Sequence, residues 1–80
     1  MKEWIIAFNN AKTLETNDAP SAEIIEEYER VLSHLDRESL TESESHVWDE
    51  ACRNLFELYA LEDNDEKAQY YAHQAISTIH

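Results

Sequence analysis

The 80-residue sequence contains no glycine, and this absence narrows the fold before any pattern is considered. Glycine supplies the left-handed and closely approaching backbone conformations on which hairpin turns and phosphate-binding loops depend. Glycine-based nucleotide-binding fingerprints are therefore excluded. Because Pro20 is the sole proline, the chain also has few helix breakers, which predicts long helices joined by short polar links. The expected fold is all-α, as a compact four-helix bundle or two stacked helical hairpins.

Cysteine and long apolar runs are scarce as well. Cys52 is the single cysteine, so no internal disulfide can form, and there is no apolar run of about 18 residues. Together with the lack of a basic-then-apolar leader, these features predict a cytoplasmic protein. The length suits one helical domain over residues 1–80. Cys52 itself is expected to be a small buried hydrophobe with no catalytic role.

Acidic residues are what the chain has in excess. It carries 18 Asp and Glu against 6 Lys and Arg, a formal net charge of −12, and 11 of the acids lie between residues 36 and 66. Such a charge repels nucleic acid and anionic membranes, and it can steer a basic partner into contact. Direct nucleic-acid or membrane binding is therefore not expected. The acids serve either solubility alone or docking on a basic surface.

Apolar residues recur three or four positions apart in four segments, which is the period of one helical face. These segments predict helices over residues 2–14, 21–35 and 41–61, and a fourth helix that Asp63 and Glu66 cap and that runs to about residue 79. Thr41 and Glu44 have the spacing of a capping box at the third helix. The predicted buried faces are Trp4, Ile5, Phe8, Ala11 and Leu14; Ile24, Ile25, Tyr28, Val31, Leu32 and Leu35; Val47, Trp48, Ala51, Cys52, Leu55, Leu58 and Tyr59, with Phe56 as a further candidate; and Ala68, Tyr71, Ala72, Ala75, Ile76 and Ile79. The opposite side of the second helix is expected to be a solvated charged face of Glu23, Glu26, Glu27, Glu29 and Arg30.

Residues with catalytic or metal-binding chemistry are present but lack a supporting pattern. His46, Asp49 and Glu50 lie on one side of the third helix, but the repeated Glu-x-x-His units of two-metal bundles are missing. With this many acids, carboxylate pairs arise by chance and do not indicate an acid–base dyad. We therefore assign no catalytic, metal or cofactor residues and do not expect an enzyme.

The last two predicted helices carry residues that match a known pattern, namely Cys52, Leu55 and Tyr59, then Ala68 and Ala75 followed by Ile76. This segment resembles a tetratricopeptide-type helical hairpin, and the stretch from Ile24 through Tyr28 is similar to its second helix. The resemblance implies a scaffold that binds peptides or proteins and has no chemistry of its own. The separation of 44 positions between Ile24 and Ala68 exceeds the repeat period of about 34, so a generic bundle stays an alternative.

Two functional hypotheses follow from these patterns. The first is a cytoplasmic adaptor, chaperone-like or assembly module that binds a protein through the last helix or forms a homodimer through it. That helix has an uncharged side, because the residues along it are Gln69, Tyr70, His73, Gln74, Ser77, Thr78 and His80. A surface without charge is cheaper to desolvate, so the predicted partner-binding residues are Tyr70, His73, Gln74 and Ser77.

The second hypothesis is a small acidic inhibitor of a nucleic-acid enzyme, of the kind that phages and mobile elements use against defence enzymes. In this case the acids between residues 36 and 66 imitate the phosphate track of DNA and occupy a basic channel. Salt separates the two hypotheses, since binding through charge weakens as ionic strength rises and binding through an apolar groove does not.

Overall fold

The computed structural model describes residues 2–75. Within that range the chain forms four α-helices and no strand: α1 (Glu3–Thr16), α2 (Ser21–Ser33), α3 (Glu42–Leu61) and α4 (Asp65–Gln74). A single turn of 3-10 helix, Arg37–Ser39, lies in the link between α2 and α3. The all-α prediction is confirmed, and the first three helices begin and end within two residues of the predicted bounds.

The helices pack mainly in chain order, with α1 on α2, α2 on α3 and α3 on α4. The resulting slab measures 31 × 30 × 17 Å, about two helices thick. The largest fully buried side chains are Tyr28 and Val31 of α2 and Cys52 and Leu55 of α3, so the core is centred where these two helices meet. None of the helices described in residues 2–75 combines the length and apolar character needed to cross a bilayer.

The predicted faces hold with three corrections. Trp48 is 7% exposed and Cys52 is fully buried, as expected from the stripe of α3. Phe56, a candidate for that stripe, is 39% exposed and lies at its edge. Glu27 and Glu29, predicted to be on the solvated side of α2, are both half-buried. Glu29 lies four positions after Ile25 and three before Leu32, which places it beside the apolar stripe.

Two helices end with the same hydrogen-bonded turn. After α1, the Ala19 N–H donates to the Leu14 carbonyl at 3.0 Å, and after α3 the Asn64 N–H donates to the Tyr59 carbonyl at 2.9 Å. Both are Schellman motifs, which place one residue in the left-handed region. Those residues are Asp18 (φ 55°) and Asp63 (φ 59°), at positions where glycine is usual.

The predicted capping box at α3 is confirmed. The Thr41 hydroxyl accepts from the Glu44 N–H at 3.1 Å, and the Glu44 carboxylate accepts from the Thr41 N–H at 3.0 Å. At α4 the prediction is wrong by one residue, because Asp63 belongs to the preceding turn. The cap is Asn64, whose side-chain oxygen accepts from the Lys67 N–H at 3.2 Å.

The end of α4 also corrects the sequence prediction. The helix was expected to reach about residue 79, but it ends at Gln74, and Ala75 has an extended backbone (φ −66°, ψ 128°). The carbonyl of Gln74 accepts from the Trp48 indole N–H at 2.9 Å, so a side chain of α3 satisfies the last carbonyl of α4. Ile76 and Ile79 of the predicted buried face lie outside the described residues.

Of the residues on which the tetratricopeptide resemblance depends, Cys52, Leu55 and Tyr59 lie on α3 and Ala68 lies on α4, which packs on α3. Ala75 follows the last residue of α4, and Ile76 lies outside the described residues. Cys52, Leu55, Ala68 and Ala75 are buried and Tyr59 is half-buried, as a helical hairpin requires. A generic bundle needs the same burial. The family resemblance therefore stays a prediction.

Candidate functional site

The uncharged side of α4 is exposed around one aromatic residue. Tyr70 is 57% exposed, and His73 is also exposed, while Gln74 is half-buried. Ser77, the fourth predicted partner-binding residue, lies outside the described residues. Tyr70 and Gln74 meet at a surface groove, whereas His73 does not border it.

This groove lies between α2 and α4, with α3 at its base, and has a volume of about 230 Å³. We call it the α2–α4 groove, and its lining residues are Glu29, Leu32, Ser33, Trp48, Tyr70, Tyr71 and Gln74. Sites for whole small molecules usually measure about 300–1,000 Å³, so the groove suits a single side chain better. A second cavity of about 250 Å³ lies on the other side of Tyr70, bordered by Glu66, Lys67 and Tyr71. Tyr70 thus separates two concave surfaces.

The two cavities share Tyr70 and Tyr71, which belong to a cluster of one carboxylate and three tyrosines. Glu29 Oε2 accepts hydrogen bonds from the Tyr59 hydroxyl at 2.7 Å and the Tyr71 hydroxyl at 2.8 Å. The rings of Tyr59 and Tyr71 stack with centroids 5.8 Å apart, and Tyr70 meets Tyr71 edge-on at 4.9 Å. The ammonium of Lys67 lies 5.8 Å from the Tyr59 ring centroid. We call this set the tyrosine cluster; it joins α2, α3 and α4.

The surroundings of Tyr59 and Tyr71 keep these two phenols protonated. Burial raises the pKa of Tyr59 to about 12, and the hydrogen bond to the Glu29 carboxylate acts in the same direction. The pKa of Tyr71 is also raised, for the same two reasons in the same order. Both hydroxyls therefore remain donors to Glu29 throughout the neutral range. The carboxylate is left with Oε1, which accepts no hydrogen bond from any residue between 2 and 75.

Most basic side chains are already held by acids elsewhere on the surface. Lys12 pairs with Glu50, and the guanidinium of Arg30 lies 3.1 Å from Glu27. Two acid–base pairs four residues apart on a helix, Glu26 with Arg30 and Asp49 with Arg53, form at 3.4 and 3.1 Å. Asp63 and Lys67 have the same spacing but form no such pair, because Asp63 precedes α4 and has a left-handed backbone.

An acidic turn joins α3 to α4 and carries charge that no ion pair neutralises within the described part of the chain. Glu62, Asp63, Asp65 and Glu66 are exposed there, and so is Glu57 one turn earlier on α3. None of them lies within ion-pair distance of a described basic group. The surface therefore has an uncharged region around Tyr70 next to a strongly negative turn.

Residues considered for metal binding or catalysis have other roles. Within residues 2–75 no three His, Cys, Asp or Glu side chains are grouped as ligands for a metal ion. His46 is exposed, Glu50 pairs with Lys12 and Asp49 pairs with Arg53. Burial raises the pKa of the Cys52 thiol to about 12, so the thiol stays protonated and is a poor nucleophile near neutral pH.

The sequence patterns did not identify Glu29, Trp48 or Tyr71 as part of a surface site. Trp48 and Tyr71 were predicted as core residues, and each is buried yet borders the groove with one edge. Glu29 could have been found from the sequence, because it is an acidic residue beside the apolar stripe of α2. A carboxylate in that position needs polar partners when it is buried.

No protein-family model, curated protein or solved structure matches this chain.

Proposed function

We propose that this chain is a non-enzymatic protein-binding module whose partner docks on the surface around Tyr70 and in the α2–α4 groove. The observation that carries the proposal is the position of Tyr70, 57% exposed between two cavities. A half-exposed tyrosine offers apolar contact area together with a hydroxyl that can bond to a partner. Tyrosine is also among the residues that most often dominate binding energies at protein interfaces.

The charge distribution supports the same surface. In a chain with a net charge of −12, the α4 positions Gln69, Tyr70, His73 and Gln74 carry no formal charge at pH 7 with neutral histidine. Burying an uncharged surface against a partner avoids the cost of desolvating ionised groups. The tetratricopeptide-like pattern over α3 and α4 is consistent with this role, as an adaptor, chaperone-like or assembly protein, or as a homodimer formed through α4.

Two added charges test the proposal. Replacing Tyr70 and Gln74 with Glu places two carboxylates in the surface to be buried, so the complex, homomeric or heteromeric, should weaken at least tenfold. Light scattering reports the oligomeric state, and affinity capture from the native lysate reports partners. Circular dichroism and urea unfolding should show an intact fold, since neither side chain is fully buried.

A matched variant carries the same added charge elsewhere. Asn9→Glu with Thr13→Glu introduces two acids on the exposed side of α1, and it should leave oligomeric state and partner capture unchanged. Equal behaviour of the two double variants would place the interface away from α4 and refute the proposal.

The acidic turn supports a second candidate function, a small acidic inhibitor that occupies the nucleic-acid channel of an enzyme. Its four exposed acids, and Glu57 next to them on α3, have no ion-pair partner among the described residues, so their charge is available to a basic surface. For this function, exchanging Glu62 and Glu66 for Gln should weaken partner binding, and the affinity should fall steeply as salt rises. Retained affinity in high salt favours the Tyr70 surface instead.

A further inference from the structure

The α2–α4 groove contains one carboxylate oxygen to which no residue between 2 and 75 donates a hydrogen bond. Glu29 Oε2 holds the hydroxyls of Tyr59 and Tyr71, whereas Oε1 accepts no hydrogen bond from the described residues. No described Lys or Arg lies within ion-pair distance of Glu29. Glu29 is half-buried, and a carboxylate in that position gains more from a charged donor than one in open solvent does.

Several other polar groups of the groove already use their protons. The Ser33 hydroxyl gives its proton to the Arg30 carbonyl at 2.7 Å, which leaves its oxygen lone pairs free. The Trp48 indole N–H is used by the Gln74 carbonyl, and the phenol protons of Tyr59 and Tyr71 are used by Glu29. The side-chain amide of Gln74 contributes both an acceptor and a donor, and the Tyr70 hydroxyl can also donate. The acceptors that lack a proton of their own to share, Glu29 Oε1 and the Ser33 oxygen, fit a ligand that brings several donors.

The aromatic rings impose a second requirement. Tyr70 and Tyr71 border the groove, and the faces of aromatic rings attract cations. The cluster already has a cation in contact, because the Lys67 ammonium lies 5.8 Å from the Tyr59 ring centroid. Arginine meets both requirements, since the guanidinium has five N–H donors, no acceptor, and a planar shape that stacks on aromatic rings.

We infer that the α2–α4 groove is a receptor for an arginine side chain of a protein partner, with Glu29 Oε1 binding the guanidinium against the ring of Tyr70. The inference rests on the proposed function and names the partner's chemistry. The net charge of −12 attracts a segment of opposite sign, and the groove volume of about 230 Å³ suits one side chain. The acidic turn near α4 provides attraction at longer range.

The test is an NMR titration of the isotope-labelled protein at physiological ionic strength. The added ligands are blocked tripeptides, acetyl-Ala-X-Ala-amide. X is arginine, lysine or citrulline, the last being an uncharged isostere of arginine. The arginine peptide should shift the indole N–H signal of Trp48 and the amide signals of Tyr70 and Tyr71. The indole signal of Trp4, which does not border the groove, should stay in place. Citrulline should bind at least tenfold more weakly than arginine, and lysine should lie between the two.

The matched variants remove one charge each. Glu29→Gln retains an oxygen for the tyrosine hydroxyls and should weaken arginine-peptide binding about tenfold. Glu57→Gln removes an exposed acid outside the groove and should leave the affinity unchanged. If Glu29→Gln fails to fold, comparing the arginine and citrulline peptides on the unaltered protein still tests whether the groove binds the charged guanidinium.

Three results would overturn the inference: equal binding of arginine and citrulline, equal weakening by the two glutamate variants, or shifts confined to residues 62–66. Each leaves the proposed function intact if the Tyr70 and Gln74 double variant still loses its complex. Failure of that double variant to affect any complex refutes the proposed function, whatever the peptides do.

Discussion

Trp48 stabilises the contact between α3 and α4 in two ways. Its side chain is 7% exposed, and its indole N–H holds the last carbonyl of α4 at 2.9 Å. We expect Trp48→Ala to lower the free energy of unfolding by about 3–5 kcal/mol, the range for removing a large buried aromatic side chain. Trp48→Phe keeps most of the volume and loses the hydrogen bond, so it should cost less. Urea unfolding followed by circular dichroism measures both losses.

A wild-type urea midpoint for Trp48→Ala would contradict this account. Ile6→Ala is a control for loss of apolar contact at the surface, because Ile6 is 42% exposed. This substitution should lower the free energy of unfolding by well under half as much as Trp48→Ala.

The contacts of Glu29 are a part of the candidate site that the sequence alone does not predict. Its partners Tyr59 and Tyr71 lie 30 and 42 positions further along the chain, on two other helices. A helical period indicates which face a residue occupies, but it does not indicate which side chains another helix brings to that face. Tyr70 and Gln74 were predictable because their evidence is local, an uncharged side on a single helix.

At the level of whole helices, the predictable features were those that depend on nearby residues. The capping box at Thr41 and the ends of α1 and α3 follow from the chain within one turn, and they were located to within two residues. The end of α4 at Gln74 depends on Trp48, 26 positions earlier, so the apolar period alone extended the helix too far. The 3-10 turn at Arg37–Ser39 had no apolar stripe to reveal it.

The left-handed aspartates at the helix ends provide a prediction about stability. Asp63 has φ 59° and lies just past the C-terminus of α3, where both the backbone conformation and the negative charge are unfavourable. Asp63→Gly should raise the free energy of unfolding by about 0.5–1 kcal/mol, after allowing for the added freedom of the unfolded chain. Thermal and urea unfolding measure the change.

Asp65→Gly, two positions later, is the matched control with the opposite sign. Asp65 lies in the first turn of α4, where a helical backbone and an acidic side chain are both favourable, so the variant should be less stable than the parent. A loss of stability in both variants would show that the Asp63 side chain contributes more than its conformation costs.

For the whole molecule, the buried phenols predict loss of stability in alkali. The pKa of Tyr59 is raised to about 12, above its ordinary 10.0, and those of Tyr28 and Tyr71 are raised further, in each case mainly by burial. Above about pH 10 the unfolded chain releases these protons and the folded chain keeps them, so the unfolded state binds fewer protons. The stabilisation that these protonated phenols provide is fully present below about pH 10. It is lost as the pH rises toward 12 and beyond.

Urea unfolding between about pH 9 and pH 11.5 measures this loss, which has a limiting slope of about 1.4 kcal/mol per pH unit for each tyrosine. Tyr71→Phe should flatten the decline, since it removes one of the three groups. Parallel curves for the parent and the variant would contradict the burial of the Tyr71 hydroxyl.

The packing of each helix on its neighbour in the chain has a consequence for the rate of folding. Contacts between α1 and α2, α2 and α3, and α3 and α4 join segments that are close in sequence, so little loop-closure entropy is lost before each contact forms. Helical proteins with such local topology fold in microseconds to milliseconds. The helices can therefore dock in chain order, each on the one before it, without first closing a long loop.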